Sequence, residues 1–470
     1  MLSDRPGSAS LRFFYSSLFW LIVPGLIGLF LATFLYTPAF YDHLPLFIKP
    51  YLSFGRMRPA HVNLAIFGWL SQAYAGAILY IVPRLTRTRL YSERLAHVNW
   101  WLWNLMNLGA LITLPLGLTQ GREYAEMIWP LDVLFITNIV LLAINIWVPV
   151  LRRKEPKIYV SLWNFMAATL VVIPIYIVGN KMWDYSGAYT GMTDSIVNYF
   201  YVHNLFNSWF TTAGLGLAFY LLPKLTGKPL YSHRLALWGL WSVWTGEHHE
   251  LYSPAPNWLQ TLTIVFSILA IVPTTAFLVN FFMTMRGSWS KLRDDVPLRF
   301  LAVGAIFWGL TCVQGVSQSF RSFSLIVHLT NWVVGHSHLA FVADYTFWAF
   351  ALIYLMQPAL LRRPAMYSKK LMEWHFWLVF VGIVLFMVSL WIAGLIQGFD
   401  WLNTNIPFIT TVTAMNPFFL GRLVGGVLVG LGVLVFVYNV WMTSRLPAVA
   451  PVPTLPVTAT GAVPSQGTQA

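Results

Sequence analysis

What most constrains this chain is a repeated run length. Apolar stretches of about 20 residues recur along it, and that many helical residues at 1.5 Å each cross the roughly 30 Å hydrocarbon core of a bilayer. They fall at 12–36, 59–83, 99–119, 127–149, 158–180, 197–223, 233–250, 258–284, 298–318, 325–357, 373–397 and 418–441, which makes twelve spans. Only 10% of residues are charged, against about 25% in soluble domains, so a water-soluble enzyme is excluded. Membrane β-barrels need short alternating strands, which these runs are not. The expected fold is all-α and integral to the membrane.

The net charge of +13 would suit a nucleic-acid partner by composition, but its placement points elsewhere. Twenty-two of the 29 Lys and Arg residues lie in the N-terminus and the alternate loops near 84–94, 152–157, 224–234, 286–299, 362–370 and 445. The positive-inside rule then puts both termini in the cytoplasm, and the basic balance reflects topology. Residues 1–11 read as a cytoplasmic lead, 12–445 as one twelve-helix domain, and 446–470 as a disordered cytoplasmic tail, rich in Pro, Thr, Ala and Val without charge. The first span is too long and too aromatic for a cleaved signal, so it is expected to be retained. No repeat is visible at the periods of solenoids. Cys312 is the only cysteine, which rules out disulfides and a C-x-x-C-H site for covalent haem within this chain.

Eleven histidines remain to be placed. His97, His233 and His375 lie at cytoplasmic helix ends beside basic residues and read as solvated. His43 and His328 read as outer-interface residues, His328 within reach of a cofactor's polar edge. The other six fall in the outer half of the membrane: His61 and His203 early in spans two and six, His248 and His249 ending span seven, His336 and His338 partway down span ten. Polar residues at such depth are costly and usually functional. At about 100° per residue, His336 and His338 diverge by about 200° and serve two separate sites, whereas His248 and His249 can converge at a helix end. The economical arrangement puts His203, His248 and His249 on one metal, and His336 with His61 or His338 on others. Imidazoles without thiolates favour haem iron, copper or non-haem iron.

The stretches "GRMRPAHVNLAIFGW", "GREYAEMIWPLDV", "IYVSLWNF", "VHNLFNSWFTTAG", "PKLTGKPLYSHRL", "TGEHHELYSPAPNW" and "NWVVGHSHLAF" resemble the catalytic subunit I of the haem-copper oxidase superfamily, in its cbb-type (C-family) and nitric oxide reductase branch. The resemblance covers roughly residues 50–440. It implies that His61 and His338 are axial ligands of a low-spin haem b and that His336 is the ligand of a high-spin haem b. His203, His248 and His249 would hold a non-haem iron or copper. Glu123, the first glutamate of "GREYAE", would help bind calcium between haem propionates, a fitting role for an oxygen ligand. A membrane-anchored cytochrome c or copper-containing subunit would supply electrons, a small gas would be the substrate, and a bacterial inner membrane the location.

In this superfamily oxygen reduction draws an electron and a proton from a pocket tyrosine, on helix seven in the cbb type or four residues past the helix-six histidine elsewhere. Here those positions hold Ser242 and Asn207. Reduction of two NO to N2O and water requires no such tyrosine, and nitric oxide reduction is therefore the expected activity. Oxygen reduction by a divergent cbb-type oxidase is the alternative, and a non-catalytic haem gas sensor a remote third. Asn207 also departs from the glutamate that nitric oxide reductases carry there, and Gln314 stands where both branches commonly show another residue. Glu247 and Glu250 offer carboxylates beside the histidine pair, and with Glu126 a proton route from outside. Asp344, eight residues past His336, is a candidate for a cytoplasmic proton path.

Overall fold

The computed structural model describes residues 4–185, 187–240 and 248–448. These are helical throughout, apart from connecting loops and one isolated bridge between Arg122 and Ala125. Ten helical runs are long and apolar enough to cross a membrane: Ser8–Tyr36, Phe54–Thr86, Trp129–Leu151, Val160–Gly179, Met192–Thr226, Asn257–Met285, Val296–Ser319, Asn331–Leu361, Lys369–Leu402 and Phe408–Arg445. Two of the twelve expected spans are not among them. The third is a 24-residue helix, Glu93–Leu116, but Trp100, Trp101, Trp103 and three asparagines dilute its apolar character. Of the seventh, the helix His233–Trp238 is described, and residues 241–247 lie outside the described residues. Glu247, Ser242 and most of the expected tail lie there or beyond 448.

Span ten also departs from expectation. Arg321–Val327 is a separate short helix, and the crossing run begins only at Asn331. Leu329, with φ +65°, turns the chain between them.

A long-period repeat organises the bundle. "PRLTRTRLYSERL" (83–95), "PKLTGKPLYSHRL" (223–235) and "PALLRRPAMYSKKL" (358–371) recur about every 140 residues, far beyond solenoid periods. In each copy a helix stops at a left-handed residue, Arg87, Gly227 or Arg362. The next helix starts at a serine, Ser92, Ser232 or Ser368, whose hydroxyl caps the backbone N–H of Leu95, Leu235 or Leu371. Such caps satisfy donors that a helix start leaves open. Each serine's own N–H donates to an asparagine Oδ1 on another helix, Asn145, Asn280 or Asn439, at 3.0 Å in all three cases.

The same threefold pattern reaches the membrane interior. Three helices widen into π-helical segments, Leu64–Leu70, Phe206–Thr211 and Leu339–Tyr345, each starting within three residues after His61, His203 or His338. A π turn inserts one residue, re-aims the side chains around it, and is frequent at functional sites. Hydroxyls reach five residues back to the carbonyls of the wider turn: Ser71 to Ile66 and Thr212 to Asn207, both at 2.7 Å.

Two of the histidines expected to be solvated are not. His97 and His375 are fully buried, whereas His233 is exposed. His97 Nε2 lies 2.9 Å from Ser8 Oγ. His375 Nδ1 lies 2.8 Å from Tyr354 Oη, among Phe300, Phe350 and Phe436. Basic neighbours in sequence mark a helix end, but each imidazole points to the bundle side of that end.

Candidate haem and metal site

The π segment after His203 and the 3-10 turn His248–Glu250 bring three imidazoles together. One ligand atom from each of His203, His248 and His249 lies within 4.8 Å of the others. His203 Nδ1 and His249 Nε2 are 3.3 Å apart. Two nitrogens bound tetrahedrally to one metal at about 2.0–2.1 Å would sit about 3.3 Å from one another. The tight 3-10 turn allows adjacent residues to converge, and the rings of His248 and His249 are 4.3 Å apart.

The tautomer of His248 follows from its partner. Ser267 donates its hydroxyl hydrogen to Thr263 O at 2.7 Å, so its oxygen accepts from His248 Nδ1, also at 2.7 Å. Nε2 then keeps its lone pair for a metal, as hydrogen-bonded imidazole ligands generally do. His328, read as interfacial, lies beside the backbone of His249 and Leu251 in that turn. His336 is near enough to all three imidazoles to interact electrostatically with them. Its Nδ1 donates to Gln314 Oε1 at 3.1 Å, which leaves Nε2 free on the ring's other side.

His338 turns the opposite way, as the two-residue spacing requires, and meets His61 in a cavity of about 690 Å³. His61 Nδ1 donates to Pro24 O at 2.7 Å and His338 Nδ1 to Val334 O at 2.9 Å, so both Nε2 atoms are available. The ring centres are 6.3 Å apart and the planes differ by 17°. Two imidazoles sharing one iron at about 2.0 Å each, with each ring centre about 1.1 Å behind its nitrogen, would have centres about 6.2 Å apart. Gly25, Gly28, Gly426 and Gly430 line the cavity, and a Cβ at Gly28 would meet His61 Cε1 at 2.7 Å. Arg422 lines it too, buried over Phe386, with its Nε unpartnered. A flat apolar macrocycle with anionic substituents fits this lining, its two axial imidazoles and its spare guanidinium.

The remaining expected residues are scattered around this core. The carboxylate of Glu123 is ion-paired with Arg58, and its backbone is held by Asn198; that cation is its described partner, and nothing else in the site bears on calcium. Glu126, in the loop between helices, accepts from Asn63 Nδ2 at 2.9 Å, and burial pushes its carboxyl up to about 7. Glu250 is buried and accepts from Ser195 Oγ at 2.6 Å, so the two acids have separate partners. Asn207 sits in the π segment, one turn beyond His203. Asp344 is fully buried in the third π segment. Glu247 lies outside the described residues.

One residue was not among those expected. The phenol ring of Tyr199 lies parallel to His249, centres 5.4 Å apart and planes 18° from one another. Its i−4 spacing from His203 places it on the histidine's helix face, and that spacing is the available hint.

Comparisons with known proteins identify the family. Residues 8–428 match the family described as "Cytochrome C and Quinol oxidase polypeptide I". The cbb3-type cytochrome c oxidase subunit CcoN1 of Stutzerimonas stutzeri is 34% identical over 90% of this chain and 92% of its own. A nitric oxide reductase subunit from the same organism is 25% identical over 87% of this chain and 90% of its own. A cryo-EM structure of a heme-copper terminal oxidase dimer superposes with a TM-score of 0.70, covering 93% of this chain and 85% of its own at 16% identity, a likeness of fold. A multi-pass helical bundle with six imidazoles gathered at two sites, matched along nearly its whole length, belongs to the haem-copper oxidase subunit I family.

Proposed function

We propose that this chain is the catalytic subunit of a respiratory complex that reduces oxygen to water with electrons from a cytochrome c subunit. The reading departs from the nitric oxide reduction expected from sequence, because similarity to the cytochrome c oxidase subunits is closer than to the nitric oxide reductase subunit. The structural observation that carries it is the phenol of Tyr199 against His249: the pocket does contain a tyrosine, on neither of the two expected positions.

In this reading His61 and His338 would hold a low-spin haem b, His336 a high-spin haem b, and His203, His248 and His249 a copper. Once bound, these groups supply electron transfer, gas binding and Lewis-acid polarisation. The chain's own residues do the positioning. Ser267 and Gln314 fix which nitrogen of His248 and His336 faces the pocket, and Arg58 and Arg422 place positive charge beside the cavity of His61 and His338. The bundle keeps bulk water from the reacting gas.

Nitric oxide reduction is the second reading, favoured by Ser242 and Asn207. The purified complex, given oxygen and, anaerobically, nitric oxide in separate runs, tests the two. Oxygen uptake well above N2O formation is expected; N2O formation without appreciable oxygen uptake would reverse the reading. Metal analysis gives an independent check, with copper beside the haem irons for oxygen and an extra iron for nitric oxide.

A further inference from the structure

The internal repeat singles out one position. Counting back from the shared proline, Pro83, Pro223 or Pro358, the residues fourteen before it are Trp69, Trp209 and Asp344. The residues twelve before it are the hydroxyls Ser71, Thr211 and Thr346. In the first two repeats the tryptophan ties its repeat to another. Trp69 Nε1 donates to Thr346 Oγ1 and Trp209 Nε1 to Ser71 Oγ, both at 2.9 Å. Continuing that cycle, the third repeat's residue would bond Thr211. There the chain has an acid instead, and Tyr345 makes the bond, its hydroxyl 2.6 Å from Thr211 Oγ1. The structural link is therefore made without Asp344.

Asp344 has unusual surroundings for a carboxyl. It is 0% exposed, and no cation among the described residues pairs with it. Its contacts are the Thr311 hydroxyl at 3.1 Å and the backbone N–H of Tyr345. Thr311 also reaches Phe307 O at 3.0 Å, so its one hydrogen is shared. The other ionisable groups facing Asp344 are Cys312, Tyr345 and Tyr74, all neutral when protonated. A charge buried without a partner is expensive, and an ionisable residue inside a membrane span is functional by default.

Its location suits proton transfer. Asp344 lies eight residues past His336, roughly 12 Å along the helix, toward the bundle end that carries the serine caps. Cys312, next to Thr311, faces Thr274. Thr274 is two turns along its helix from Ser267, which holds His248.

We propose that Asp344 carries protons to the pocket from the serine-cap end of the bundle. Its carboxyl gives a proton toward the pocket and regains one from that end, so the residue is unchanged over a cycle, and the electrons come from the cytochrome donor. The proposal rests on the proposed function only in that the pocket consumes protons, which either gas requires.

The test uses the purified complex with D344N and D344E. Oxidised-minus-reduced infrared difference spectra in H2O and D2O should show a protonated-carboxyl band in the wild type that shifts in D2O, is absent in D344N and moves in D344E. Turnover should fall roughly tenfold or more in D344N with both haem signals intact, and recover substantially in D344E. Wild-type-like turnover in D344N, or spectra identical in the wild type and D344E, would overturn the proposal. The D344E spectrum decides the matter if D344N fails to assemble. A wild type that turns over neither gas would sink the functional reading instead, and the infrared band is scored independently of it.

Discussion

Gly28 is the position where the haem-site geometry can be tested most sharply. A methyl group there would stand 2.7 Å from His61 Cε1 and 3.1 Å from Nδ1. Carbon atoms settle at about 3.5–4.0 Å, so the ring must retreat by about 0.8 Å or helix Ser8–Tyr36 must move away. The first response breaks the 2.7 Å bond to Pro24 O, at about 1 kcal/mol. Overpacking adds about 1–3 kcal/mol, for a total of about 2–4 kcal/mol. A shift of that size is also too large for an imidazole held at about 2.0 Å from a metal. The G28A complex should therefore lose the six-coordinate low-spin signal in its optical and electron paramagnetic resonance spectra, and should melt earlier. The control is G55A, outside the cavity lining, where a Cβ meets nothing within 4 Å. If G28A keeps the low-spin signal and the melting point of G55A, the His61–His338 site is not built as argued.

Ser267→Ala should leave haem content unchanged while loosening the non-haem metal about 10–100-fold, read by chelator competition. Asn280 and Asn439 each both accept from and donate to their serine backbone, whereas the Nδ2 of Asn145 has no partner. N280A and N439A should thus cost about 2 kcal/mol each and N145A about 1 kcal/mol in detergent unfolding; equal costs would contradict the pairing. Glu126 holds its proton to about 7 when folded against 4.5 for the free side chain. Its stabilisation is full below pH about 4.5 and is lost as pH rises to about 7. Relative to E126Q, the wild type should lose up to about 3 kcal/mol over that window, and parallel stability curves for the two would refute the burial argument.

Much of this is legible in the residues themselves. The HxH and HH spacings dictate divergence and convergence of imidazoles because helical geometry is local, and the structure gives His336 and His338 separate partners and His248 and His249 one centre. The expectation of solvated rings at His97 and His375 fails because adjacency to lysine and arginine says where a helix ends and not which way a ring points. The long repeat lies outside solenoid periods, although the YS pairs at 91–92, 231–232 and 367–368 are plain in the sequence. Tyr199 carries no such local signal because its contact is with a residue fifty positions away, across two helices.

The sequence by itself determined a multi-pass helical membrane protein and the set of six deep histidines, since both follow from hydropathy and helix periodicity along a single chain. Only the tertiary structure decided which nitrogen of each ring is free, that a phenol lies against His249, and that Asp344 stands where two tryptophans brace the other repeats. Those facts depend on hydrogen bonds and ring contacts between helices far apart in the chain, and no local pattern of residues encodes such a distance.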